Sequence, residues 1–221
     1  HACAPELRCN SSLEVTLLVD GSGSLQECGW AATKSAAVKL VEALRVSNAG
    51  VHLSVLLFSG PKTWEKFLLC TQGPGPNQSP PDLASDCGMH WVAQGAVDPG
   101  PVKAAIEAMS WPRGSTLTAG ALTAVAIRLQ ETPRRAPATV VVVTDGRPMS
   151  PRRTLLAAKR VQKHARLLWV PVAQSVPLDS IKELASRPIH ENVLQVPNFD
   201  VLKEPKTTSA LIAAVCPEVL A

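Results

Sequence analysis

A chain of 221 residues with 46% hydrophobic side chains is long enough to bury a full core and too apolar to be disordered, and it suits one sizeable α/β domain. The net charge of +4 is mild and comes with no DNA- or RNA-binding signature, so no nucleic acid is expected among the partners. No apolar run is long enough to cross a membrane and no signal peptide is recognisable, so the chain reads as a mature, monomeric ectodomain fragment without a span.

In chain order, residues 1–12 form an N-terminal extension carrying Cys3, Cys9 and the glycosylation sequon Asn10-Ser11-Ser12. EVTLLVD at 14–20 is the first predicted strand, apolar enough to be buried on both faces. It ends in Asp20, Ser22 and Ser24, followed by Cys28 and a helix predicted over 30–46. VHLSVLLF at 51–58 is the second strand, and TWEKFLLC at 63–70 reads as an edge strand. From Thr71 to about Val97 periodicity disappears into a Pro/Gly/Ser-rich insertion, expected to be a long loop that Cys70 and Cys87 close at its base. Helices are then predicted over 99–110 and 117–131, a strand at 138–145, a helix over 150–166 and a strand at 167–173. Two more helices, 178–186 and 206–215, bring the chain to Cys216-Pro217. Strands alternating with helices imply right-handed βαβ crossovers. The expected architecture is a doubly wound α/β fold over residues 1–221, with a mainly parallel central sheet, one antiparallel edge strand and helices on both faces.

The six cysteines are dispersed, with no C-x-x-C pair to suggest zinc or redox chemistry. They read as three disulfides formed in an oxidising compartment, which points to a secreted or cell-surface protein.

Ligands of open parallel α/β sheets bind beyond the carboxyl ends of the strands. Three such places here carry oxygen donors: Asp20, Ser22 and Ser24 after the first strand, Ser115, Thr116 and Thr118 in RGSTLTAG, and Thr144 and Asp145 in TDGRP. Each segment alone also reads as a helix cap or a turn. Together they form a set of hard donors suited to Mg²⁺ or Mn²⁺. Ser22, Ser24 and Thr116 would be neutral ligands, with Asp20 and Asp145 binding directly or through water. Two carboxylates barely balance a divalent ion, which leaves it electrophilic toward an acidic group of another molecule. Glycines at 21, 23 and 114 are expected to let the backbone turn tightly here.

DGSGS, GSTLT and TDG, in this order, resemble the metal-ion-dependent adhesion site of the von Willebrand factor A (integrin I-like) domain, and the likeness runs from about Leu13 to Cys216. The resemblance implies a Rossmann-like fold and assigns Asp20, Ser22, Ser24, Thr116 and Asp145 to the metal, with Thr116 preferred over Thr118. It also implies that a Glu or Asp of a protein receptor completes the coordination. RCNSSLEVTLLVDGSGS, Trp30, Phe58-Ser59 and AAVCPEV are similar to the TRAP family of apicomplexan adhesins. This implies a membrane adhesin stored in micronemes and used in gliding motility and host-cell invasion, with Cys9 paired to Cys216. That family's cysteine pair near the penultimate loop is absent from SRPIHENVLQVP. Cys28 is expected to fasten the metal loop to Cys3.

Between Arg147 and Arg166 the chain has seven basic residues and no acid. Within this run Arg152, Arg153, Lys159 and Arg160 are expected to meet heparin-like sulfated glycans, with Arg134 and Arg135 adding to the patch. The five histidines show no metal spacing. GSGS lacks the G-x-S-x-G elbow, no phosphate-binding loop is present, and no second acid follows two residues after Asp20. The chain is therefore expected to bind rather than catalyse. The alternative is a matrix-type A domain with metal-independent contacts.

Overall fold

Leu13–Asp20 is buried at every position but one, and that places it at the centre of the sheet. A computed structural model describes residues 8–9, 11–44, 50–76, 78–133, 136–172, 178–217 and 219–220. Its elements are β1 (Arg8–Cys9), β2 (Leu13–Asp20), a 3₁₀ turn at Gly23–Leu25, α1 (Gln26–Ala43), β3 (Val51–Phe58) and α2 (Trp64–Gln72). There follow β4 (Met89–Ala96), α3 (Pro99–Glu107), α4 (Thr118–Glu131), β5 (Ala138–Thr144), α5 (Pro151–Gln162) and β6 (Arg166–Pro171). The chain closes with α6 (Leu178–Leu184), α7 (Ile189–Asn192), α8 (Phe199–Leu202), α9 (Pro205–Val215) and β7 (Val219–Leu220).

The main sheet has the order β4-β3-β2-β5-β6, parallel except for the antiparallel pair β3–β4. It is the doubly wound fold read from the alternation of strands and helices. Side chains of β2 and β5 partition by period two. Val15, Leu17, Val19, Val141 and Val143 join a core cluster with α1, α3 and α9, while Leu18, Val140 and Val142 join one with α4 and α5. Both faces are dry, which explains why these strands are apolar throughout rather than alternating. β2 runs beside β3 on one side and β5 on the other, so the order reverses between β2 and β5. The crevice for a ligand opens at their carboxyl ends.

The edge strand is not where the sequence placed it. Residues 64–72 form α2: Thr63 caps it, its hydroxyl accepting the Lys66 N–H at 3.4 Å, and Trp64 stacks on Phe67 one turn along. The antiparallel edge is β4, inside the stretch read as loop. Its pattern was hidden because most of its residues are half-buried and its register shifts twice against β3, with Gly95 at φ 62. The irregular insertion is correspondingly shorter.

Cys9 is bonded to Cys216 and Cys70 to Cys87. Cys28 is exposed and forms no disulfide among the described residues; Cys3, its expected partner, lies outside them, as do Asn10, Arg134 and Arg135.

Candidate metal centre

Asp20 is the last residue of β2 and has no solvent exposure. Its Oδ1 accepts the Ser22 N–H at 2.8 Å and its Oδ2 accepts the Thr144 hydroxyl at 2.5 Å. Burial pushes its carboxyl up from 3.8 to about 6, against the opposing pull of the Thr144 and Ser22 hydrogen bonds. Asp145, one residue past β5, is likewise raised by burial while the Ser24 hydroxyl lowers it. Neither carboxylate is paired with a basic side chain among the described residues.

The serine hydroxyls do not serve as helix caps. Ser22 sits at the N-cap of the 3₁₀ turn but makes no side-chain cap, and α1 has none either. Instead the Ser22 and Ser24 hydroxyls lie 3.0 Å apart, and Ser24 Oγ donates to Asp145 Oδ1 at 2.9 Å. This chain of oxygens joins the loop after β2 to the loop after β5.

The third segment is held between its neighbours. Residues Ser22 and Gly114 form a parallel bridge, Gly23 N–H donates to the Gly114 carbonyl at 2.9 Å, and Arg113 N–H donates to the Gly21 carbonyl at 3.1 Å. Gly114 is required by close approach, since a Cβ there would overlap the Gly60 carbonyl. Contrary to the tight-turn expectation, none of Gly21, Gly23 and Gly114 adopts a positive φ. Thr116 faces the loop after β5: a Cβ on Gly146 would lie 3.0 Å from its hydroxyl, and the Met149 N–H donates to its carbonyl at 3.4 Å. Thr118 opens α4 instead, with its hydroxyl buried and unpartnered among the described residues.

Two contacts in this region were not read from the sequence, although Thr144 itself stood among its oxygen donors. Thr144 anchors both Asp20 and the Gly146 N–H, which meets its hydroxyl at 3.0 Å. Trp111 donates its indole N–H to the Ser22 carbonyl at 3.1 Å, with the Arg113 guanidinium 4.5 Å from its ring. The sequence signal for the first was a hydroxyl ending an otherwise aliphatic strand; the second had none. The non-glycine residues with positive φ among those described, Gln26 and Arg113, both flank this site, as strained backbone at functional positions does.

No three His, Cys, Asp or Glu side chains cluster among the described residues, so any cation here must draw on hydroxyls. One buried and one half-buried carboxylate, neither with a basic partner among the described residues, have beside neutral oxygens the chemistry of a hard divalent ion's donor set. Of the expected glycan residues, all four lie exposed on α5, and Arg153 donates to the Thr71 carbonyl at 3.0 Å.

The sequence profile of the von Willebrand factor type A domain matches residues 14–72 and 91–208, which together make up most of the chain. No curated protein sequence matches it. In structure the chain is similar to proximal thread matrix protein 1 from the mussel byssus, with a TM-score of 0.73 at 14% identity over 95% of this chain and 49% of that one. The form of that protein with a zinc-occupied MIDAS motif gives 0.70 at 14% identity, over 95% and 49%. The chain thus spans about half the length of the mussel protein. The manganese-loaded Plasmodium vivax TRAP protein gives 0.66 at 18% identity, over 98% of this chain and 80% of that one. At such identities the likeness is one of fold.

Proposed function

The chain belongs to the von Willebrand factor type A domain family, and from that premise we propose that it is an extracellular adhesion module that binds an acidic side chain of a protein receptor through a divalent metal. The carrying observation is that Asp20, fully buried, and Asp145, half-buried, meet at the strand order reversal with no basic partner among the described residues, linked by serine hydroxyls that cap no helix. Asp20, Ser22, Ser24, Thr116 and Asp145 would hold Mg²⁺, or Mn²⁺. When bound, the ion supplies a Lewis-acidic position for a partner's carboxylate. The chain's own residues prepare that position. Thr144 fixes Asp20, Ser24 fixes Asp145, and Trp111 fixes the Ser22 backbone against the loop from the third segment.

Two disulfides among the described residues favour an oxidising, secreted or cell-surface setting. The likeness of RCNSSLEVTLLVDGSGS and AAVCPEV to apicomplexan adhesins extends the proposal to host-cell adhesion and gliding motility, with storage in micronemes. Sulfated glycans are proposed as second ligands of the exposed α5 cations. Retention on heparin should fall in the Arg152→Ala/Lys159→Ala double variant.

The test of the main reading is adhesion to receptor-bearing cells with Mg²⁺, with EDTA, and with Asp20→Ala that still folds. Loss in both of the latter arms is expected. One second reading is a matrix module whose contacts need no metal; the similarity to a mussel thread matrix protein bears on its matrix role alone, since that protein also occurs with zinc at its MIDAS motif, and adhesion unchanged in EDTA would select it.

A further inference from the structure

We infer that the chain carries a second binding site, independent of the metal centre, for a single-tailed anionic amphiphile of the long-chain fatty carboxylate class. The site is a groove of about 680 Å³ walled by α4, α5, β4 and the loop clipped by Cys70–Cys87. Its volume lies in the range of small-molecule pockets, roughly 300–1,000 Å³. None of the proposed metal residues lines it. One wall, with Pro81, Leu83 and Cys87, comes from residues 73–90, which fall between the two stretches matched by the family profile, while the rest of the lining lies within them or at their edge.

Two kinds of surface meet there. Leu83, Ile127 and Leu156, 40%, 49% and 54% exposed, all face it; they are half of the six large hydrophobics that stand exposed among the described residues. Apolar groups concentrated at a concave site mark it for an apolar occupant. Around them stand three guanidiniums, Arg128, Arg153 and Arg160, against one carboxylate, Glu131, and none of the three is in an ion pair among the described residues. Two are held in place by neutral partners. Arg128 donates to Gln94 Oε1 at 2.7 Å and lies 5.4 Å from the Trp91 ring, and Arg153 is tied to the Thr71 carbonyl. Fixed, unneutralised cations are a preorganised anion site. A sulfated glycan would leave the apolar walls wet, and a neutral lipid would leave the arginines unanswered. An anion with an apolar tail satisfies both.

The probe is dodecanoate below its micellar concentration, titrated calorimetrically in EDTA so that carboxylate binding to a metal plays no part. Saturable one-to-one binding is expected. Each methylene withdrawn from water strengthens binding about 4-fold, so octanoate should bind on the order of 100-fold more weakly. Dodecanol should bind more weakly than dodecanoate. A brominated analogue, 11-bromoundecanoate, should quench tryptophan emission, and Trp91→Phe should remove most of the quenching while leaving the binding heat. Arg153→Glu/Arg160→Glu and Leu156→Asp should each weaken dodecanoate at least ~10-fold with an unchanged melting profile, and with calorimetric Mg²⁺ binding intact. Should Leu156→Asp fail to fold, Ile127→Asp takes its place. Absence of dodecanoate binding, equal affinity for octanoate, full affinity in these variants, or binding to anionic vesicles but never to the monomer would each overturn the proposal.

Discussion

Asp20 is the residue on which the proposed site turns, because full burial makes its charge costly without a counter-ion. Its folded-state carboxyl titrates near 6, while in the unfolded chain it lies near 3.8. Between those values the unfolded state has lost the proton and the folded state has kept it, so raising pH favours unfolding. The contribution to stability is complete below 3.8 and is lost as pH rises through about 6, and the gap corresponds to roughly 3 kcal/mol. In EDTA, the urea midpoint at pH 5 should therefore exceed that at pH 7, and Asp20→Asn should shrink the difference. Excess Mg²⁺ should raise the pH 7 midpoint of the parent chain, but not that of the Asn variant. Thr144→Val removes the hydroxyl from Asp20 Oδ2 without changing side-chain shape much. It should weaken Mg²⁺ binding in calorimetry and, at pH 7 in EDTA, cost about 1–3 kcal/mol of stability, with Thr144→Ser restoring both.

At the scale of elements, the part of the chain that sequence patterns misread is the part that is least buried. α2 has no fully buried residue, and β4 alternates poorly. The Cys70–Cys87 bond ties α2 to the turn just before β4 across a separation of 17 residues. Closing a loop of that size restrains the unfolded chain by about 3 kcal/mol. Cys70→Ser/Cys87→Ser should lower stability by up to that amount, read from urea unfolding. It should also loosen the groove wall, so dodecanoate affinity falls while Mg²⁺ binding holds. α1 and α4 behave differently. They bury nine and six residues against dry sheet faces, so tertiary packing holds them firmly as helices.

For the whole molecule, the Cys9–Cys216 bond ties the segment before the first core strand to the end of the last long helix, 207 residues apart. β1 and β7 pair antiparallel beside it. α9 packs in the same core cluster as α1, the helix that leaves the proposed metal loop. Cys9→Ser/Cys216→Ser should destabilise the chain by up to about 5 kcal/mol, measured by chemical unfolding. Cys9 precedes the start of β2 and Asp20 ends it, so the tie and the metal loops lie at opposite ends of that strand, and Mg²⁺ affinity measured below the unfolding transition should stay within about 3-fold of the parent.

By itself the sequence determined the doubly wound class, the central strands and the three oxygen-bearing segments, because continuous apolar runs ending in Asp20 and Thr144-Asp145 are local facts. The Cys70–Cys87 closure was legible in the same way, from proximity along the chain. Tertiary structure alone decided what depends on distant groups meeting. It turned Ser22 and Ser24 away from helix capping and toward Asp145, 121 residues on from Ser24. It brought Trp111 under the Ser22 carbonyl and moved the edge strand to β4. It also divided the basic run, setting Arg153 and Arg160 beside an apolar groove that no periodicity along the chain records. Hydrogen bonds and desolvation are paid or recovered only when the partner arrives, and the partner's arrival is a property of the fold.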